Sequence, residues 1–394
     1  MDFRFSPAEE SFRAEIRAFL RDELPDAIRR GSSGHLGEGG DETWEQLRAF
    51  QRSLSEKGWL TLNWPAEHGG QAAGVMRQVI YNEEMAYNRA PTQLGVGPDR
   101  VGPTIILYGA DEQKERHLPG IAAGDTVWCQ GFSEPSSGSD LASLQTRAVA
   151  DGDHFVVNGQ KIWTSLAHKA DWCILLARTD PDAPKHKGIS YLLLDMRLPG
   201  IEVKPLIDLT GRHAFNEIFL EDVRIPRDCL VGELNQGWYV AAATLDFERS
   251  GINRVVAGIR VYEELRDYAR ETAVAGERIW ERPGVRGKLA ELGIEFHAGR
   301  LLAYRVASMQ EKGQIPNAEA SMSKMYGSEL QQRLANTGVQ IMGLAGQLSE
   351  GRWAPLAGRL EHYYRQTVGL TIAAGTSEIQ RNIIAARGLG LPRG

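Results

Sequence analysis

Apolar residues return every three or four positions along the first part of the chain. Phe12, Ile16, Phe19 and Leu20 share one face, and Trp44, Leu47, Phe50 and Leu54 share another, the spacing that gathers side chains on one stripe of a helix. Ser6, Pro7 and Glu9 supply the first start signal: a capping hydroxyl, a proline at a tolerated position and the glutamate of a capping box. A glycine-rich loop at 31–40 separates the two faces, and further helices are predicted near Arg77–Arg89 and Asp111–Ala123. Residues 1–124 read as an all-helical domain.

The period then shortens. His154–Val157 and Gln160–Trp163 flank Asn158-Gly159, which predicts a hairpin with a two-residue type I′ turn. Strand-like runs follow at Trp172–Ala177, Tyr191–Leu194, Ile201–Leu206 and Glu217–Ile225. They predict an antiparallel sheet or small barrel over 125–233. From Trp238 the helical period returns and stays: Val285, Leu289, Leu292 and Phe296 share a face, as do Leu330, Leu334 and Ile341. Pro283 and Pro316 mark breaks between helices in this last domain, 234–394. The order helices, sheet, helices predicts an α+β chain. No Gly-x-Gly-x-x-Gly follows a strand, so a nicotinamide-type dinucleotide site is not expected.

Composition narrows the class. With 42% hydrophobic and 24% charged residues the 394-residue chain is an ordinary globular one. Its net charge of −6 gives no broad basic footprint, so neither nucleic acid nor an anionic membrane is an expected partner. Cys129, Cys173 and Cys229 are widely separated and odd in number. They fit reduced thiols in a cytoplasmic protein rather than a disulfide frame or a metal site. The first 25 residues mix Arg, Glu and Asp with no signal-peptide core. No apolar run approaches the roughly 20 residues of a membrane span.

Two stretches carry candidate chemistry. Residues 130–140, Gln-Gly-Phe-Ser-Glu-Pro-Ser-Ser-Gly-Ser-Asp, are dense in small residues and hydroxyls. Two readings are open for them: a solvated turn, or a loop whose backbone N–H groups approach a phosphate, with Ser139 adding a donor. Trp163, followed by Thr164 and Ser165, is either a core aromatic on a strand or a ring laid against a planar cofactor with donors beside it.

Taken with their spacing, these stretches resemble the acyl-CoA dehydrogenase family. Gly131–Asp140 followed by Asn158–Trp163 resembles its flavin-binding sheet motif, Tyr108–Lys114 with Leu118–Gly124 its fourth-helix region, and Ala374–Arg381 its C-terminal motif. The resemblance spans nearly the whole chain, in the right order. It implies a helical domain, a central β domain and a C-terminal four-helix bundle. It also implies FAD, an acyl-CoA substrate oxidised across its alpha and beta carbons, an electron-transfer flavoprotein as partner, and a tetramer of dimers that share flavin sites. On this resemblance Gln130, Phe132 and Ser133 would line the flavin ring, partly through backbone, and Gly138 and Ser139 belong to the cofactor-binding set, Ser139 at the pyrophosphate. Trp163 would lie against the flavin, Ser165 near its N5, and Thr376 and Glu378 beside the phosphates and ribose.

The chain departs from the family where the base is usually found. Many relatives carry a glutamate directly before the Gly-Thr of the C-terminal motif; here Ala374 stands there. Either the site is dead or the base comes from elsewhere. In a subset that includes relatives acting on branched, long-chain or steroid side-chain thioesters, a glutamate occupies the position of Glu248, with Arg249 after it. The other reading of Glu248 is a solvated helix charge; Asp246, two residues away, cannot share its helix face. The resemblance makes Glu248 the expected base, while the backbone N–H of Ala374 still polarises the thioester carbonyl. A methyl at 374 also leaves room for branched or bulky acyl groups.

Two cross-subunit elements are altered. The Arg-x-x-Phe-Gly contact is missing, leaving Arg278, Arg282 and Arg286 as replacements, and the run from Gln340 through Gly343 to Gly346 lacks its usual Gly-Gly. These changes resemble a bacterial subgroup of sterol side-chain enzymes, some of which form mixed tetramers with a paralogous subunit; a homotetramer is the other expectation. A flavin monooxygenase on the same scaffold and a non-catalytic partner subunit are the competing readings.

Overall fold

The computed structural model describes residues 5–30, 41–246 and 251–392. In chain order its helices are α1 (Pro7–Glu23), α2 (Asp26–Arg30), α3 (Asp41–Glu56), α4 (Val75–Tyr87), α5 (Gly102–Tyr108), α6 (Asp111–Ala122), α7 (Gly237–Asp246), α8 (Ile252–Glu271), α9 (Pro283–Glu311), α10 (Asn317–Met342), α11 (Arg359–Leu370) and α12 (Ser377–Ile383). Between α6 and α7 run β1 (Trp128–Gly131), β2 (Arg147–Asp151), β3 (His154–Ser165), β4 (Trp172–Arg178), β5 (Ile189–Asp195), β6 (Ile201–Ile207), β7 (His213–Pro226) and β8 (Leu230–Val231). A short hairpin, β9 (Ala273–Val274) and β10 (Glu277–Arg278), follows α8. The expected sequence of helical, sheet and helical regions is present.

Contacts divide the chain into two compact units, one holding 1–34, 74–90 and 249–394, the other 35–73 and 91–248. In the first, Ser6 caps α1 through the reciprocal box with Glu9, and Phe12, Ile16, Phe19 and Leu20 are buried as their spacing predicts. Helices α8, α9, α10 and α11 share a core of Val255, Leu265, Leu289, Leu292, Phe296, Leu330, Leu334 and Leu360. Helix α1 is pinned to α4 by a buried charge cluster: Arg13 Nη1 lies 2.7 Å from both Glu83 and Glu84.

In the second unit the strands order β6-β7-β3-β2-β4-β5-β8, with β1 also paired to β4. Strands β4 and β5 are buried along almost their whole length, which explains their continuous apolar sequence. Strand β6 lies at the edge, with Lys204 and Pro205, residue types that protect an unpaired edge. The sheet is mixed rather than purely antiparallel, because β1 and β2 run parallel to β4.

One local expectation fails. Asn158-Gly159 is not a hairpin turn but lies inside β3, which runs unbroken from His154 to Ser165. The turn falls at Gly152-Asp153, between the paired Asp151 and His154, with Gly152 at φ +59°. Asn158 instead exchanges two hydrogen bonds with Asp222 on β7, at 3.0 and 2.9 Å. The chain has already reversed at Gly152-Asp153, so Asn158 continues along β3 and bonds across the strands.

Candidate functional site

The loop at 130–140 is built on a buried ion pair. Lys161, on β3, is 0% exposed, and its Nζ donates to Glu134 Oε1 at 2.7 Å and to the Phe132 carbonyl at 3.2 Å. Glu134 also accepts from the backbone N–H of Gln145 at 2.6 Å and of Thr146 at 2.8 Å. Burial pushes the Lys161 ammonium down to about 8, against the opposing pull of Glu134. For Glu134 burial is the largest single influence and acts to raise it, but the Lys161 charge and the donated hydrogen bonds outweigh it and hold the carboxyl below its usual range. Both partners are therefore charged at neutral pH. The loop is tied from several sides, so it is not a loosely solvated turn.

On this frame the expected cofactor residues take distinct places. Gln130 is half-buried and its Oε1 accepts from Arg100 at 3.1 Å. The Phe132 ring packs into the core edge-on to Tyr191, with ring centroids 6.0 Å apart, so only its backbone is available to a ligand. The Ser133 carbonyl accepts from Ile162 N–H at 3.0 Å, tying the loop to β3. Gly138 and Ser139 are exposed, and a Cβ at Gly138 would meet nothing within 4 Å.

Trp163 is not a core aromatic. It is 56% exposed, at φ +62°, and its ring meets Phe215 edge-on, with centroids 5.7 Å apart. A non-glycine residue held in this region costs about 1–3 kcal/mol. The pairing of β3 with β7 slips between Lys161 and Thr164, and such a bulge re-aims side chains. Trp163 and Ser165 are both exposed, while Thr164 between them is fully buried. An exposed ring and an exposed hydroxyl-bearing residue thus share one outer edge.

In the other unit, Ala374 is also left-handed, at φ +54°, and is exposed. Among the described residues its N–H makes no hydrogen bond. The turn is clamped through carbonyls: Gln380 Nε2 donates to the Ala374 carbonyl at 3.1 Å, and buried Lys324 donates to the Gly375 carbonyl at 2.7 Å and the Leu370 carbonyl at 3.2 Å. Thr376 caps α12, its hydroxyl accepting from Ile379 N–H at 3.2 Å. Glu378 is exposed and held below the usual carboxylate range by its own backbone N–H and then by the Thr376 hydroxyl. Beside it opens a cleft of about 510 Å³ lined by Glu329, Arg333, Ser377, Glu378 and Arg381 among others, where Ser377 Oγ is buried with no protein partner among the described residues.

Gln340 is exposed near the end of α10 and accepts from Lys288 at 3.1 Å, and Gly343 closes that helix at φ +62°. Arg282 pairs with Glu277 at 3.6 Å, and Arg278 and Arg286 are exposed. Glu248 and Arg249, the expected base and its neighbour, lie outside the described residues; Asp246 is the last residue of α7. Among the described residues there is no His, Cys, Asp and Glu group arranged to hold a metal, and no helix is long and apolar enough to cross a membrane.

In the sheet unit an exposed indole and an exposed hydroxyl share an edge beside a loop of small residues, a set that fits a flavin. In the helical unit, taken by itself, a turn carries an N–H and a cleft holds a buried hydroxyl, neither with a hydrogen-bond partner among the described residues. Sequence reasoning missed three groups here: Glu134, Lys161 and Asn216, the last fully buried on β7 and bonded to the Thr164 carbonyl. Their signal was parity, since Lys161 falls in step with inward Phe155 and Val157, and Asn216 with inward Ala214 and Ile218.

Comparison with known proteins agrees with this reading of the fold. Three family models match in succession: the acyl-CoA dehydrogenase N-terminal domain over 6–125, the middle domain over 129–223 and the C-terminal domain over 235–389. The acyl-CoA dehydrogenase IpdE1 of Mycobacterium tuberculosis is 38% identical over 390 residues, covering 98% of each chain. Among solved structures, the Tcur3481-Tcur3483 steroid ACAD matches with a TM-score of 0.90 at 37% identity, covering 100% of both chains. The ChsE4-ChsE5 complex from Mycobacterium tuberculosis matches with a TM-score of 0.88 at 35% identity, again over 100% of both. The chain belongs to the acyl-CoA dehydrogenase family of oxidoreductases.

Proposed function

We propose that this enzyme is an FAD-dependent dehydrogenase of bulky acyl-CoA thioesters, the steroid side-chain kind foremost, working in the cytoplasm with an electron-transfer flavoprotein as acceptor. The observation that carries the flavin reading is the outward edge at Trp163 and Ser165, held at a bulge in strained backbone. Gln130, Ser133, Gly138 and Ser139 would hold the cofactor, and Thr376 and Glu378 are the further residues we assign to it. When bound, FAD supplies the acceptor for the hydride leaving the beta carbon.

Glu248 removes the alpha proton. A carboxylate suits this task when it sits within hydrogen-bond reach of the carbon acid and is partly desolvated. The N–H of Ala374, without a hydrogen bond among the described residues, donates to the thioester oxygen as negative charge grows there, a donor of the kind whose loss costs about 2.7–4 kcal/mol. Both groups together make a weak carbon acid removable; with the beta hydride taken by bound FAD, the product would be a 2,3-enoyl-CoA. The steroid reading is supported by the small side chain at 374 and by the likeness to the steroid ACAD. The likeness to two structures named for pairs of proteins supports a mixed tetramer with a paralogous subunit.

An anaerobic panel of straight, branched, aromatic and steroid side-chain thioesters tests the reading directly. The expected result is bleaching of the yellow enzyme, fastest with the steroid thioesters. Glu248→Gln should keep FAD and ligand but lose bleaching by at least ~100-fold, the low end for a general base. Protein that stays colourless even when co-expressed with paralogous subunits overturns the catalytic reading.

A further inference from the structure

The bulge beneath Trp163 is held by a cluster that the reaction itself does not use. β3 advances from Lys161 to Thr164 while β7 steps only from Ile218 to Asn216, so the ladder cannot hold the residues between. One side of the bulge is anchored by Ile162 N–H on the Ser133 carbonyl, within the cofactor loop. The inner side is anchored by Asn216, whose Nδ2 donates to the Thr164 carbonyl at 2.9 Å. The Thr164 hydroxyl contributes nothing, being buried without a partner among the described residues.

An amide can rotate by half a turn and exchange its oxygen for its nitrogen, and this one is prevented from doing so. Asn216 Oδ1 faces two imidazoles, His213 Nε2 at 2.7 Å and His168 Nδ1 at 3.2 Å. The rings stack with centroids 4.2 Å apart and planes 28° apart. Each nitrogen facing the oxygen must carry a proton, so neutral His168 is the Nδ1–H tautomer and neutral His213 the Nε2–H tautomer. A flipped amide would set Oδ1 against the Thr164 carbonyl oxygen, two acceptors with no proton between them. Leu166 at φ +58° closes the segment beyond Ser165, so left-handed residues bracket the Thr164-Ser165 pair on both sides.

We propose that Asn216 is a positioning residue. Its orientation, set by the Thr164 carbonyl as obligate acceptor and matched by N–H donors from His168 and His213, fixes the Thr164 peptide and thereby the edge from which Trp163 and Ser165 meet the flavin. The proposal rests on the flavin reading above, but the cluster is measurable without it.

Holoenzyme labelled with ¹⁵N-histidine, at a pH where both imidazoles are neutral, should give opposite tautomers, Nδ1–H for His168 and Nε2–H for His213. Finding His168 as Nε2–H overturns the proposal whatever the ligand. Asn216→Asp keeps the size and the acceptor but loses the donor to Thr164. It should weaken FAD binding about tenfold, ~1.4 kcal/mol, and shift the flavin reduction potential. Wild-type affinity and potential in that variant overturn the proposal. Should it not fold, His213→Gln, which keeps an amide donor, must bind FAD more tightly than His213→Phe, which keeps only a ring; equal binding overturns it. Wild-type enzyme that binds no FAD sinks the flavin reading alone, because the tautomers are still read from the same labelled protein.

Discussion

Trp163 and Ala374 pose the same backbone problem and answer it differently. Each is a non-glycine residue in left-handed backbone, at φ +62° and +54°, within a stretch whose pattern resembles a cofactor motif. At 163 the side chain is what the strain presents: an exposed ring beside an exposed hydroxyl. At 374 the side chain is only a methyl, and the group of interest is an N–H without a partner among the described residues. The supports differ too. Under Trp163 lies a carboxylate–ammonium pair and an oriented amide, whereas the turn at Ala374 is gripped by Lys324 and Gln380 through carbonyls. A function carried by a side chain needs a scaffold that sets its direction, and one carried by the backbone needs only the turn itself.

The largest test of this contrast is Lys161→Met. It leaves Glu134 buried within the 130–140 loop without its cation, and breaking a buried pair in this way costs about 3–5 kcal/mol. Urea unfolding should show that loss, and the double variant Lys161→Met/Glu134→Gln should recover part of it. A single variant as stable as wild type would mean the pair does not hold the loop. Lys324→Met comes next. It removes charge-assisted hydrogen bonds to two carbonyls, of a kind worth about 1.5–3 kcal/mol each, and should weaken thioester turnover through the turn while FAD reduction potential stays close to wild type.

Glycine at the two strained positions separates side chain from backbone at lower cost. Trp163→Gly and Ala374→Gly each relieve strain of roughly 1–3 kcal/mol and each lose some of it again to the entropy of the unfolded chain. Thermal midpoints should therefore change little in either. Activity should not follow the same course: Ala374→Gly keeps its N–H and stays within a few-fold of wild type, about 1 kcal/mol or less, while Trp163→Gly loses the ring and with it FAD affinity. Equal losses in both variants would erase the distinction.

How much of this was legible follows from the range of each interaction. Helices α1, α3, α9 and α10 could be read because their buried stripes are local, down to the box of Ser6 and Glu9. Asn158-Gly159 misled because a turn signal is also local, whereas the partner that holds Asn158 in a strand, Asp222, is 64 residues away. The parallel pairing of β1 with β4 was invisible for the same reason. For the site, the motifs pointed to Trp163 and Ala374, but not to φ, since nothing in an Ile-Trp-Thr-Ser run announces a bulge. Lys161 and Asn216 were readable as polar residues on inward parity; that the one meets Glu134 and the other two histidines was not.

The smallest expected effect is on acid stability, and it too divides the two regions. Glu134 is held below the usual carboxylate range in the folded protein because the Lys161 charge and the donated hydrogen bonds overcome its burial. A carboxyl depressed in this way stabilises the fold fully above its unfolded value, near 4.5, and the contribution is lost as the pH falls through the lower folded value. Over the same range Lys161, depressed only to about 8, is charged in both folded and unfolded chains and adds no slope. The difference in unfolding free energy between wild type and Lys161→Met/Glu134→Gln should therefore be flat from pH 7 to about 5 and shift against wild type on further acidification. An Ala374→Gly variant, whose turn is clamped by carbonyls that do not titrate, should follow the wild-type curve throughout. If the double variant also follows it, the pair is not the element that makes the Trp163 edge sensitive to acid.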